Sequence, residues 1–319
     1  MKAATSFRYG APSVLNVQDI PEPTLQAEHD QHVILEVHAS SINQLDVLFR
    51  QGYWPVRLIG GRFKPTNPVL GVDVAGIVIS TGAKVTRFKV GDRVFGGAFG
   101  AHAEYVRVRQ GILAHLPDQV SFQQAAALPT ASITALQALR DVAKLQAGQA
   151  VLINGASGGV GHFAAQLAKH LGATVTAVCS TGNMDWVGDL GVDHVLDYTR
   201  QDFTRMARRY DLILDAVAKS TFWRCRPALR PGGLYITENR FKPLANVLQL
   251  MLPAAPHRPR GKSHQATHQA DDHAYLMNLL EQGQLRPVIE RVYPLTEIAA
   301  AHAHVERGHT KGKIVIAVR

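Results

Sequence analysis

The chain has 319 residues, 46% of them hydrophobic and 18% charged, which is enough for two domains with proper cores and leaves no low-complexity tract. Its two cysteines, Cys179 and Cys225, lie far apart and lack a C-x-x-C partner, which excludes a disulfide scaffold or a cysteine-rich zinc site and points to a reducing compartment. The formal charge of +9 is spread along the chain, and its densest patch, residues 257–262, has no interleaved aromatics of the kind that stack on bases, so it reads as a solvated loop and nucleic-acid binding is not expected.

In chain order, Met1 to Thr5 are not followed by an apolar h-region, and no stretch reaches 18 uninterrupted apolar residues. These features predict a cytoplasmic protein with no membrane partner. Residues 2–19 read as a β-hairpin turning at Tyr9-Gly10-Ala11-Pro12. Residues 32–40 alternate as a strand with Val33, Leu35 and Val37 on one face; a short helix stopping near Gly52 and a loop with Tyr53, Trp54 and Pro55 follow. Residues 71–96 combine strand patterning with glycines where an antiparallel barrel turns sharply, and residues 103–109 and 112–116 continue as strands. Helices are predicted at 120–127 and 129–139, the second entering another domain.

That domain is announced by Asn154-Gly155-Ala156-Ser157-Gly158-Gly159-Val160-Gly161, between the apolar run 150–153 and a helix whose Val160, Phe163, Ala164, Leu167 and Leu171 recur at helical spacing. Gly172 follows as its C-terminal stop, and a second strand spans 174–178. Strand, glycine turn, helix and strand form a βαβ unit whose bare amides suit a pyrophosphate at the helix N-terminus. Further strands at 195–196, 212–217 and 234–237 extend the alternation, which predicts a parallel sheet covered on both faces. Ser180-Thr181, Tyr198, Ala216-Val217 and Thr237-Glu238 fall at strand carboxyl ends, where such sheets bind ligands. Near the C-terminus come a helix at 275–281, a strand at 287–293, a helix at 295–307 and a last strand at 312–316 belonging to the first lobe.

Several blocks together carry a family resemblance: Met1-Lys2-Ala3 with Tyr9 to Pro12, Asn43 with Asp46, the 71–96 block ending Gly91-Asp92-Arg93-Val94, the glycine turn, residues 190–198, and Pro231-Gly232-Gly233. The chain resembles the zinc-independent quinone oxidoreductases of the medium-chain dehydrogenase/reductase superfamily, the group that includes zeta-crystallin. The resemblance implies an α/β plus β fold: a GroES-like catalytic β-barrel domain over residues 1–124, completed by 285–319, beside a Rossmann doubly wound parallel-sheet domain over 125–284.

It also implies hydride transfer from a nicotinamide to a quinone or α,β-unsaturated carbonyl. Where zinc-containing relatives place a cysteine ligand this chain has Asn43, and where they place a His-Glu pair it has Val72-Asp73, so no metal is expected. Asn43 and Tyr53 are the candidate catalytic residues, as neutral donors to the acceptor oxygen, with the proton coming from Tyr53 or water. Cofactor contacts are expected from Asn43, Thr130, Gly155, Ser157, Gly158, Gly159, Val160, Gly161, Ser180, Thr181, Tyr198 and Val217. The second strand ends in Cys179-Ser180-Thr181, without the acid that holds a ribose 2′-hydroxyl, and two hydroxyls there would donate to a 2′-phosphate, so the cofactor is read as NADPH. The alternatives are an enoyl-thioester reductase and a non-enzymatic NADPH-binding or RNA-binding protein. A homodimer is expected.

Other polar residues have plainer readings. Asp46 is read as a loop anchor and Asp92 as a turn residue. His257, His264, His268 and His273 crowd one segment, but Pro256, Pro259 and Gly261 argue against the continuous helix that would let His264 and His268 chelate a metal. Leu248 to Leu252 would line a pocket or an interface.

Overall fold

The computed structural model describes residues 1–238 and 259–319. Its contacts divide the chain into one unit of Met1–Ala131, His268–Gly283 and Pro287–Arg319, and a second of Ser132–Thr267 and Gln284–Arg286. The run from Leu248 to Leu252 and His257 lie outside the described residues.

The first unit is largely antiparallel, with one parallel pair at its edge. Strands β1 (Lys2–Thr5) and β2 (Asn16–Asp19) form the expected hairpin, with Lys2 opposite Asp19. The main sheet begins with β3 (His32–Ile42), β4 (Asp73–Thr81), β5 (Arg93–Gly97), β6 (Tyr105–Arg109) and β7 (Leu113–His115). Val33, Leu35 and Val37 of β3 are wholly buried against Val74, Val94, Val106 and Leu113, so period-2 burial fixes the register of the pleat. After β3 the chain forms α1 (Gln44–Gln51), stopped by Gly52 at φ 63°, then α2 (Trp54–Gly60). Helix α3 (Phe122–Ala127) starts at Ser121, whose hydroxyl accepts the Gln124 N–H, and α4 (Pro129–Gln137) follows.

The second unit alternates strand and helix: β8 (Ala150–Asn154), α5 (Gly159–His170), β9 (Thr174–Cys179), α6 (Met184–Gly188), β10 (His194–Asp197), β11 (Tyr210–Asp215), α7 (Phe222–Cys225), β12 (Leu229–Thr237) and β13 (Arg260–Ser263). All six strands are parallel, in the spatial order β10-β9-β8-β11-β12-β13, the doubly wound arrangement of a dinucleotide-binding sheet. The central strands read as unbroken apolar runs because helices cover both faces: Val151, Leu152, Ile153, Ile213 and Leu214 are fully buried.

Strand β13 shows residues 260–262 to be strand rather than loop, though solvated as expected. Arg260 and Lys262 are exposed on an edge strand that pairs with β12, and such a strand needs no apolar alternation because one side faces water. The chain then returns to the first unit through α8 (Ala270–Glu281), β14 (Ile289–Pro294), α9 (Ile298–Glu306) and β15 (Lys313–Ala317). β15 lies between β14 and β3, antiparallel to β3. Helix α8 is longer than the sequence pattern suggests and packs on β7, with His273 edge-on to Phe95 at 5.5 Å. It belongs to the first unit, and the first boundary falls after Ala131, so the division differs from the 125–284 span expected for the second domain.

Candidate functional site

In the second unit the chemistry gathers at the carboxyl edge of the parallel sheet. Strand β8 ends at Asn154, Gly155 turns at φ 83°, and α5 begins after Gly158 in an extended conformation. The amides of Gly155 and Ala156 are tied to Val178 O at 3.1 and 2.9 Å, which pins the turn to β9. The amides opening α5 have no acceptor within the helix and are the groups that can receive an anion. The glycines divide the work. A Cβ on Gly161 would sit 2.0 Å from Gly155 O, and one on Gly155 would sit 2.4 Å from Val217 Cγ1, so both are required by packing. A Cβ on Gly158 would meet only Gly155 O, at 3.4 Å, so the space in front of that residue is a cradle open to a ligand. The turn therefore fits a dinucleotide pyrophosphate, and Ser157, Gly159 and Val160, which flank Gly158 in sequence, are half-buried.

At the end of β9 the hydroxyls are partly committed. Thr181 donates to Asp197 at 2.5 Å, and the Ser180 hydroxyl oxygen accepts from the Asn183 amide at 3.0 Å. Cys179 and Asp197 are register partners, so a carboxylate from β10 arrives where the β9 sequence itself has none. This corrects the expectation that Thr181 is free to donate to a phosphate. Thr181 and Thr199, by hydrogen bonds, hold the Asp197 carboxyl below its ordinary range. Arg200 lies 3.6 Å from it with an exposed side chain, and Tyr198 is exposed beside them.

In the first unit a buried network surrounds Asp73, at the start of β4. Its Oδ2 accepts from Ser41 Oγ at 2.7 Å, Asn43 Nδ2 at 2.7 Å and Lys313 Nζ at 3.3 Å; its Oδ1 accepts from Thr130 N at 2.9 Å and Thr130 Oγ1 at 2.6 Å. Lys313 also donates to Asn43 Oδ1 at 2.6 Å. Burial alone would raise the Asp73 carboxyl; Lys313, Asn43 and Thr130 together hold it below the usual range. Because the Thr130 hydroxyl gives its proton to Asp73, its 3.3 Å contact with His268 Nε2 is one in which His268 donates, and the 3.2 Å contact between His268 Nδ1 and His273 Nε2 is then donated by His273. Asp46 anchors the loop as read from the sequence, accepting from the amides of Asn43 at 2.8 Å and Gly71 at 3.1 Å, and burial pushes its carboxyl up to about 7. Asp92 likewise takes the Lys89 amide in its turn.

The structure thus joins two of the expected residues, Asn43 and Thr130, through Asp73. Asn43 is not the freely presented amide that the sequence reading assumed, since its oxygen is held by Lys313 and its nitrogen faces Asp73. Tyr53 sits at a half-exposed position where α2 begins. Lys313 joins this cluster although the sequence reading gave it no role, and His268 joins it through Thr130 rather than as a chelator. The available signal for Lys313 was a lysine opening an otherwise apolar strand, a charge that must find a partner if it is buried. Strand β13 ends at Ser263 and residues 264–269 form no helix, which removes the i, i+4 chelating geometry weighed for His264 and His268.

Comparison with known proteins accords with this geometry. The family described as "Alcohol dehydrogenase GroES-like domain" matches residues 29–118, and that described as "Zinc-binding dehydrogenase" matches residues 190–316. The chain is 34% identical to the mitochondrial NAD(P)H oxidoreductase RTN4IP1 of Mus musculus, over all of this chain and 89% of that protein. It is 30% identical to the chloroplastic NADPH-dependent alkenal/one oxidoreductase of Arabidopsis thaliana, over 99% of this chain and 79% of that one. The solved quinone oxidoreductase of Coxiella burnetii superposes with a TM-score of 0.87 at 32% identity, covering 100% of this chain and 99% of the other. The mitochondrial and chloroplast locations of two of these relatives overturn the cytoplasmic placement: organelle transit peptides are amphipathic rather than apolar, so the lack of an apolar run carries no information about such a location. With both lobes matched in order and relatives of this identity aligned along its length, the chain belongs to the medium-chain dehydrogenase/reductase superfamily, among its quinone oxidoreductase-like members.

Proposed function

We propose that the protein is an NADPH-dependent reductase of quinones or α,β-unsaturated carbonyls that works without a metal. The observation carrying the metal-free part is the set of donors around Asp73: five hydrogen bonds converge on its carboxylate, one of them from the buried ammonium of Lys313. That ammonium supplies the positive charge a metal ion would bring, and Asn43 has neither the charge nor the softness of a thiolate ligand. When bound, the nicotinamide would supply the hydride. The chain's own part is to seat the pyrophosphate at the amides opening α5, to keep Thr130 and Asn43 rigid through Asp73, and to present polar groups to the acceptor. Without a Lewis acid, readily reduced quinones and enones are favoured over simple alcohols and ketones.

The preference for NADPH over NADH is read from the exposed Tyr198, the remaining donor capacity of Ser180, and Arg200, whose guanidinium offsets the charge of Asp197. The names of the relatives support this reading: one is an NADPH-dependent alkenal/one oxidoreductase and another a quinone oxidoreductase. The test is NADPH oxidation by chelator-treated, metal-analysed protein against a panel of quinones, enones and saturated ketones. Turnover of quinones or enones by metal-free protein is expected; activity that vanishes on chelation and returns with zinc refutes the proposal.

A further inference from the structure

Two carboxyl groups share the carboxyl edge of the second unit's sheet, and the fold treats them oppositely. Asp215 ends β11 and is fully buried. Its oxygens accept three hydrogen bonds: from Asn154 Nδ2 at 2.8 Å, from the Ser220 amide at 2.9 Å and from the Tyr235 hydroxyl at 2.9 Å. Those donors come from β8, from the loop after β11 and from β12, so the Asp215 carboxylate is locked among three parts of the sheet. Glu238 stands one residue beyond Thr237, which is the last residue of β12 and the register partner of Asp215. Its Oε1 is buried and has no hydrogen-bond partner among the described residues, while the residue as a whole is half-buried. Burial pushes the Glu238 carboxyl up to about 8, and the neighbouring charge of Asp215 adds to the rise. Of the other groups on the flanking strands, Tyr235 has given its hydroxyl to Asp215, and Lys262 on β13 is exposed.

A carboxyl oxygen buried without a donor favours the protonated, uncharged form, and paired carboxyls held in such unlike surroundings are how protein sites separate an acid from a base. Glu238 lies on the sheet edge that also carries the glycine turn, Ser180 and Val217, the edge where parallel sheets of this topology bind their ligands.

We infer that Glu238 is the general acid of the reduction, delivering the proton that must accompany each hydride. This rests on the reading of the protein as a quinone or enone reductase. The balance is simple. Hydride addition to the acceptor leaves an oxyanion or enolate. The Glu238 O–H bond breaks, an O–H or C–H bond forms on the acceptor, and the glutamate is left as a carboxylate that solvent reprotonates before the next turnover. Asp215, held by Asn154, Ser220 and Tyr235, takes no part in the transfer; its charge beside Glu238 favours the protonated form of Glu238 between turnovers. This assigns to Glu238 the role first considered for Tyr53.

The experiment combines two measurements on the full chain. Infrared difference spectra of the cofactor-free protein at pH 7, wild type minus Glu238→Gln, should contain a protonated-carboxyl band that disappears on titration above pH 8. In steady-state assays Glu238→Gln should lower kcat about 100-fold, in line with general acid catalysis, with NADPH affinity unchanged within about twofold by fluorescence titration. Glu238→Asp should retain part of the rate with a shifted pH profile, which a purely structural role would not produce. No protonated-carboxyl band at pH 7, or undiminished kcat in Glu238→Gln, overturns this inference alone. Wild-type protein inert toward every quinone and enone overturns the functional reading and this inference with it.

Discussion

Substituting Lys313 by Met removes the cation from the Asp73 network while keeping an unbranched apolar stem one atom shorter. Asp73 is fully buried and Lys313 is 2% exposed, so bulk solvent does not reach the pair to screen the charge left behind. Breaking a buried ion pair by removing one partner costs about 3–5 kcal/mol when the remaining charge is left bare. Here four neutral donors stay on Asp73, from Ser41, Asn43 and the amide and hydroxyl of Thr130. The expected loss is therefore at the lower end, about 3 kcal/mol. The pH dependence follows from the direction of the Asp73 shift. In the native protein its folded carboxyl is held below the unfolded value of 3.8, so its contribution is present above that pH and is lost as pH falls through the folded value. Removing Lys313 leaves burial to raise the carboxyl, so the variant suffers most at neutral pH and recovers relative to wild type as Asp73 takes up a proton. Urea unfolding at pH 7 and pH 4 should show the gap narrowing in acid. The double variant Lys313→Met/Asp73→Asn should lose less than the sum of the single variants. A wild-type stability for Lys313→Met, or a gap of equal size at both pH values, refutes the account of the network as a charge-compensated site.

The glycine turn offers a paired test. Gly158→Val should leave circular dichroism intact and abolish NADPH binding, because its side chain enters open space, whereas Gly161→Ala should cost about 1–3 kcal/mol of stability through its clash with Gly155 O; the opposite pattern would show that Gly158, not Gly161, is the packing residue. Calorimetry should find NADPH bound at least about tenfold more tightly than NADH, a difference of about 1.4 kcal/mol, and Arg200→Ala should erode that ratio by weakening NADPH alone; equal losses for both cofactors would remove Arg200 from 2′-phosphate recognition. The last prediction concerns His102 and His302, which are fully buried with rings 5.9 Å apart. Burial lowers His102 to about 4 and lowers His302 well below its ordinary value. Both contribute stability that is full above about pH 6.5 and is lost as pH falls toward the folded values, because the unfolded chain takes up protons first. Neither ring nitrogen of His302 has a hydrogen-bond partner among the described residues, so His302→Met should be neutral or stabilising at pH 7.5 and should flatten the fall in thermal midpoint between pH 6.5 and 4.5; an unchanged slope would clear His302 of any part in acid lability.

Much of this architecture is written locally. The glycine turn, the apolar runs of β8 and β9 and the helix between them are legible because each depends on neighbours within a few residues: a strand needs a short apolar run, and a helix needs period 3.6 and a glycine stop. The parallel sheet followed from the strand and helix alternation, since parallel neighbours require crossovers. The hairpin at the N-terminus and the anchoring role of Asp46 were readable for the same reason, their partners being close in sequence or fixed by turn chemistry.

What the sequence did not disclose are the contacts that only chain reversal brings about. Lys313 meets Asn43 across 270 positions and Asp73 across 240, so nothing near either acid or amide hints that a lysine completes the cluster. The carboxylate of Asp197 reaches Thr181 because β10 lies beside β9, and that pairing changed the meaning of a strand end that had seemed free of acids. Helix α8 gave its helical character away through its pattern but not its allegiance, because an apolar stripe records that a face is buried and not what buries it. The same holds for Glu238: its sequence position marks the end of a strand, while its empty-handed oxygen arises only where folding removes water and places Asp215 alongside. Local patterning determined the elements and their order; the charges that carry the chemistry acquired partners, or lost them, only when distant strands were brought side by side.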